Sequence, residues 1–214
     1  MRYFFLVLLF IGGLALAQDK VPFQDEVADI QKKYDTIWDA TKETIVFTGS
    51  SSVRLWKNLE EEFPEHQIVN SGFGGSQAHN LLYFSEELIL RFKPKKVFIY
   101  EGDNDISAKK KPREVIEDIQ KIIAKIKQQD KSTEVVLIAA KPSIARWRLR
   151  HKYKRLNKKF RRLVALDDSL DFANVWDVML NGRKLKKDIF IEDGLHMNAK
   201  GYALWYTVIN EYIN

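Results

Sequence analysis

No cysteine occurs anywhere in the 214 residues. Disulfides, thiolate metal sites and a cysteine nucleophile are therefore excluded. Histidine is scarce, with 4 in the chain, so chemistry that needs an imidazole has few places to find one. Zinc-finger spacing, a nucleotide-cradling loop and an aromatic RNA-binding signature are also missing, and a formal net charge of +6 is modest for a nucleic-acid binder. Nucleic acid is not an expected partner, and neither a metal nor a cofactor is expected. What remains is a chain of ordinary domain size, 45% hydrophobic and 30% charged, without the composition of disorder.

The N-terminus reads as a targeting segment. Arg2 supplies a positive start, Tyr3–Ile11 is an almost unbroken apolar run loosened by Gly12 and Gly13, and Ala15-Leu16-Ala17 is a small-x-small cleavage site. Residues 1–17 are read as a signal peptide and residues 18–214 as one domain. The run is short for a membrane span, so no stable anchor is expected after cleavage. With no cysteine behind it, the segment cannot be that of a bacterial lipoprotein. Export without disulfides suits a bacterial periplasmic or secreted protein.

The stretch Thr44–Trp56, TIVFTGSSSVRLW, organises the rest. Ile45, Val46 and Phe47 make a buried strand, and Gly49 allows a sharp turn because it lacks a Cβ. Ser50, Ser51 and Ser52 follow where Val53, Leu55 and Trp56 open a helix. Serines there suit a helix cap. A nucleophile, exposed at a sheet edge beside N–H groups that favour negative charge, is the less favoured reading of this stretch by itself.

Around this stretch strands and helices alternate. Spacings of three and four predict an amphipathic helix over Val21–Ala40. Gln67–Asn70 is a second strand, ending in the glycine-rich Ser71–Ser76. Ala78–Phe92 reads as a helix. Lys96–Tyr100 is a third strand, apolar as a central parallel strand should be, and Glu101-Gly102-Asp103-Asn104-Asp105 follows it directly. Pro112–Gln129 is a helix and Glu134–Ala140 a fourth strand, followed by Lys141-Pro142-Ser143. Arg146–Arg162 is densely basic, which would suit an anionic polymer or lipid. Leu149, Tyr153, Leu156, Phe160 and Leu163 nonetheless form a core stripe, which assigns the charges to a solvated face. Asp171–Val175 reads as a fifth strand and Ala199–Ile213 as a closing helix.

The alternation predicts a three-layer α/β/α sandwich with a central parallel sheet of about five strands. Working groups in such sheets gather at the carboxyl ends of the strands. The unusual stretches Gly49–Ser52, Gly72–Ser76, Gly102–Asp105 and Asp193–His196 all fall there. A serine that attacks a carbonyl needs a histidine to take its proton and a carboxylate to orient that histidine. His66 and His79 lie in or beside polar links, and His151 lies in the basic helix. His196 alone follows an aspartate, Asp193, by three residues at the expected edge. The order serine, aspartate, histidine is one known solution. Donors for a tetrahedral oxyanion are available in the backbone N–H groups of Ser51 and Gly75 and in the amide of Asn104.

These four blocks resemble the SGNH hydrolase superfamily, the GDSL-type esterases and lipases. Gly49-Ser50-Ser51 matches the first block and implies Ser51 as nucleophile. Asn70–Gly75 matches the second and implies Gly75 as oxyanion donor. Gly102-Asp103-Asn104-Asp105, a full G-x-N-D, implies Asn104 as side-chain donor. Asp193-Gly194-Leu195-His196, a full D-x-x-H, implies the acid and the base. The resemblance runs from about Thr44 to the C-terminus and implies the flavodoxin-like fold of that family. Its name-giving G-D-S-L reads Gly49-Ser50-Ser51-Ser52 here, with Ser50 and Ser52 as alternative nucleophiles. The G-S-S form followed by Arg54 and Trp56 resembles the branch near platelet-activating-factor acetylhydrolase-like and carbohydrate acetylesterase proteins. The expected function is a metal-free serine esterase acting on short acyl, above all acetyl, esters of a small molecule, glycan or cell-wall polymer. The competing expectations are a lysophospholipase or thioesterase on the same fold, and a carbohydrate-binding protein without catalysis.

Overall fold

The computed structural model describes residues 21–214, so the expected signal peptide, residues 1–17, lies outside the described residues. Helix α1 (Gln24–Ile37) comes first, burying Val27 and Tyr34. Strand β1 (Thr44–Gly49) is buried at every position and runs straight into the single turn α2 (Ser51–Arg54), with α3 (Leu59–Glu62) after it. Strand β2 (Gln67–Gly72) leads to α4 (Ala78–Tyr83) and α5 (Ser85–Leu88). Strand β3 (Lys96–Tyr100) is followed by α6 (Asp103–Ser107) and α7 (Pro112–Gln129), and β4 (Glu134–Ile138) by α8 (Arg150–Val164). Strand β5 (Leu170–Ala173), the turn α9 (Val175–Val178), a two-stranded ribbon of β6 (Leu180–Asn181) and β7 (Lys184–Leu185), and α10 (Ala199–Ile209) complete the domain.

The five main strands pair in the order β2-β1-β3-β4-β5, all parallel. The step from β1 to β2 runs one way across the sheet and every later step runs the other. Right-handed crossovers therefore put α2 and α3 on one face and α4, α5, α7 and α8 on the opposite face. Packing agrees with this. Phe47 of β1 stacks on Phe98 of β3 with ring centroids 4.3 Å apart, and Trp56 meets Trp205 of α10 edge-on at 6.0 Å. With both faces covered, Val46, Val97, Phe98, Val135 and Val136 lose all exposure, which accounts for strands that read as apolar runs.

Local chemistry moved several boundaries. The helix expected over Ala78–Phe92 is broken into α4, α5 and a 3₁₀ turn at Leu90–Phe92. Ser85 Oγ donates back to the Leu82 carbonyl at 2.9 Å, competing with the ladder, and Ile89 leaves helical geometry with φ −130°. The fifth strand ends at Ala173, because Val175 already belongs to α9. The basic segment is helical from Arg150, with Tyr153, Leu156 and Phe160 buried and most of its cations exposed, which is the solvated-face arrangement.

Candidate active site

The strand order reverses between β1 and β3, and the crevice of a doubly wound sheet opens at the carboxyl ends of such a pair. Ser51 stands at the end of β1 and Asn104 at the end of β3. Gly49 makes the first of these turns possible. Its φ is 119°, and a Cβ there would lie 2.0 Å from the Tyr100 carbonyl oxygen. The neighbouring strand passes so close that Ser50 N–H donates to that same oxygen at 3.1 Å.

None of the three serines caps α2 through its side chain. Ser50 and Ser52 are buried, whereas Ser51 is half-buried. Only Ser51 meets an imidazole: its Oγ is 2.9 Å from His196 Nε2. On the other side of the ring, Nδ1 is 2.5 Å from Asp193 Oδ2. A carboxylate can only accept there, so Nδ1 carries the proton and Nε2 presents a lone pair to the serine hydroxyl. The structure thus brings Ser51, His196 and Asp193 into one hydrogen-bonded line, with Ser51 145 residues before His196 in the chain.

The Asp193–His196 loop is fixed from several directions. Asp193 Oδ1 accepts from the N–H groups of Leu195 at 2.8 Å and His196 at 2.9 Å. Desolvation pushes this carboxyl up, but those two N–H groups and the imidazole outweigh it and hold the group at about 2. Ala145 N–H donates to the Gly194 carbonyl at 3.0 Å, and Lys141 Nζ to the Leu195 carbonyl at 2.7 Å.

Of the expected oxyanion donors, Gly75 lies exposed in the loop after β2 with φ 77°. A Cβ there would touch nothing within 4 Å, so backbone conformation rather than space calls for glycine. The N–H groups of Ser51 and Gly75 have no acceptor among the described residues. Asn104 spends one Nδ2 hydrogen on the Ser76 carbonyl at 2.8 Å, which ties its loop to that of Gly75 and leaves the second hydrogen free. Its Oδ1 accepts from Arg146 at 3.0 Å.

Beneath Asn104 lies a buried charge network absent from the sequence-based expectation. Asp103 Oδ1 accepts from Arg146 at 2.7 Å and from the Tyr153 hydroxyl at 2.9 Å, and Oδ2 accepts from the Tyr100 hydroxyl at 3.1 Å and from Lys141 at 3.4 Å. Burial alone would raise the Asp103 carboxyl, but the Lys141 and Arg146 charges bring it below the usual carboxylate range. Burial also pulls the Lys141 ammonium down, against the pull of Asp103. Glu101 is the reverse case: burial and the nearby Asp105 charge push it well above the usual range, and it accepts from Ser76 Oγ at 2.7 Å. From the N-terminal helix, Glu26 accepts from Gly74 N–H at 2.9 Å and braces the second loop. Lys141 could have been flagged because it follows a strand at the working edge. Arg146 gave no signal, since it opens a run of cations that face water.

A family model described as the GDSL-like lipase/acylhydrolase family matches residues 38–204. Among solved structures, a Streptococcus pneumonia protein named for platelet activating factor is similar over 89% of this chain and 94% of its own, with TM-score 0.78 and 25% identity. A GDSL-like lipase from Bacteroides thetaiotaomicron is similar over 86% of this chain and 96% of its own, with TM-score 0.70 and 20% identity. A catalytic mutant of an acetylxylan esterase from Geobacillus stearothermophilus is similar over 80% and 94%, with TM-score 0.67 and 16% identity. No curated protein matches the sequence.

Proposed function

The chain belongs to the GDSL-like lipase/acylhydrolase family and is a carboxylic ester hydrolase, and from that premise we propose that it is an exported serine esterase that removes short acyl groups, acetyl above all, from a glycan or cell-wall polymer. One observation carries the catalytic part: the 2.9 Å approach of Ser51 Oγ to His196 Nε2, with Asp193 bound to the far nitrogen. In this reading His196 takes the hydroxyl proton as Ser51 attacks the ester carbonyl, and Asp193 stabilises the imidazolium. The free N–H groups of Ser51 and Gly75 and the unspent Nδ2 hydrogen of Asn104 receive the developing oxyanion. The protonated His196 then gives its proton to the departing alcohol. A water attacks the acyl-serine through the same base, releases the carboxylic acid and restores the hydroxyl.

The preference for short acyl groups is supported by the acetylxylan esterase with the same fold. Export to the periplasm or medium is supported by Arg2, the apolar run Tyr3–Ile11 and Ala15-Leu16-Ala17. The test is a series of p-nitrophenyl esters offered to residues 18–214. Turnover is expected to be highest with acetate and to fall as the acyl chain lengthens. A maximum at long acyl chains would favour the lysophospholipase or thioesterase alternative, and no hydrolysis of any member would favour a binding protein.

A further inference from the structure

Resting on that esterase reading, we propose that an open cleft beside the catalytic loop binds acidic sugar residues, so that the natural substrate is an acylated, uronate-bearing glycan. The cleft has a volume of about 490 Å³ and is lined by Ile144, Trp147, Arg183, Lys184, Leu185 and Lys187.

One short stretch of chain forms both a wall of this cleft and a support of the catalytic groups. Ile144 and Trp147 line the cleft. Between them, Ala145 N–H holds the carbonyl of Gly194, which lies between Asp193 and His196, and Arg146 holds the Asn104 amide. A Cβ at Gly194 would sit 3.0 Å from that of Ile144. A ligand in the cleft therefore borders the loop that carries Asp193 and His196.

The lining chemistry selects the ligand. Ile144 is 42% exposed, and with the half-buried Trp147 and Leu185 it offers an apolar floor. Such a floor suits the C–H face of a sugar ring. Arg183, Lys184 and Lys187 are exposed and form no ion pair with any described acid, whereas the exposed Lys200 and Arg113 pair with Asp188 and Glu117. No acidic residue lines the cleft. Three unpaired cations over an apolar floor complement a ring that carries a carboxylate. A fatty acyl chain needs enclosing apolar walls, and this cleft is open with a cationic rim.

The test first reads binding without turnover, by calorimetry with trigalacturonate and with xylotriose. The acidic trimer is expected to bind about tenfold more tightly than the neutral one, and the difference should shrink in 0.5 M salt, where screening shortens to a few ångströms. A triple variant, Arg183→Gln, Lys184→Gln and Lys187→Gln, is expected to lose that preference. In turnover the variant should raise KM for acetylated galacturonate oligomers about tenfold, leaving kcat and the hydrolysis of p-nitrophenyl acetate unchanged. Equal binding of the two trimers, or an unaltered preference in the triple variant, overturns the proposal while leaving the esterase reading intact. Displacement by an anionic lysophospholipid with no binding of trigalacturonate assigns the cleft to lipid and overturns it too. Charge-dependent trimer binding by a protein that cannot cleave p-nitrophenyl acetate upholds the cleft and rejects the esterase reading.

Discussion

The guanidinium of Arg146 donates to the side-chain oxygen of Asn104 at 3.0 Å across 42 residues of chain, and the same nitrogen donates to Asp103 at 2.7 Å. A cation on the amide oxygen draws electron density from the amide nitrogen and fixes which way the group points. With Ser76 holding one of the two Nδ2 hydrogens, the other has a single direction left. Arg146 thus fixes the orientation of the Asn104 amide.

Asn104→Ala is expected to lower kcat on p-nitrophenyl acetate by about 100- to 1,000-fold, the usual cost of an oxyanion donor. Arg146→Ala should lower kcat by about tenfold with KM little changed, because the interaction it supports strengthens in the transition state. In the Asn104→Ala background the Arg146 change should add almost nothing. Losses that simply multiply in the double variant would show that Arg146 works by another route.

Ser51→Ala and His196→Ala are each expected to lower turnover by several orders of magnitude, and the double variant should be hardly worse than either alone, since the pair acts as a unit. Ser50→Ala and Ser52→Ala should keep the activity within about tenfold. Both side chains are buried and neither meets the imidazole, which bonds Ser51, so their loss touches packing and, at Ser52, a hydrogen bond with the Tyr100 hydroxyl. Near-normal hydrolysis by Ser51→Ala would relocate the nucleophile.

Asp193, held at about 2, stays ionised through the whole working range. It can therefore contribute no limb to the profile of kcat/KM above about pH 4. A histidine base must be neutral to take a proton, so one acid limb, of one proton, is expected. Asp193→Asn should lower kcat by up to about 10,000-fold, because an asparagine can present a donor to Nδ1 and turn the ring to the wrong tautomer. A wild-type profile without an acid limb would remove His196 from the mechanism.

The main elements were legible where local pattern and tertiary demand agree. Lys96–Tyr100 and Pro112–Gln129 have the same bounds in sequence and structure, because an apolar run between turn signals and a proline-led amphipathic stretch each leave one solution. Ser51, Asp193 and His196, which meet in the structure, were singled out by the family blocks they match; residue type and edge position alone left Ser50 and Ser52 open beside Ser51. The ribbon β6–β7 was not, since two residues per strand carry no period. Nor was the network on Asp103. Its partners Lys141, Arg146 and Tyr153 lie 38, 43 and 50 residues along the chain, and nothing in a stretch of cations says which one turns inward.

That network also makes a prediction about stability and pH. The Asp103 carboxyl lies below its ordinary value in the folded chain, so between the two values the unfolded chain binds more protons. Its contribution is complete above the unfolded carboxyl range, about pH 4, and is lost as pH falls through the lower folded value. At pH 7, Asp103→Asn leaves Lys141, with its side chain 0% exposed, without its ion-pair partner, and should cost about 3–5 kcal/mol. As pH falls below the unfolded carboxyl value and through the lower folded one, the wild-type carboxyl itself takes up a proton, so the gap between the two proteins should narrow. Urea denaturation of both at pH 7 and at a series of acid pH values measures it. An equal gap throughout would mean that Asp103 stabilises the fold through its hydrogen bonds alone and that its charge is not what holds Lys141 in place.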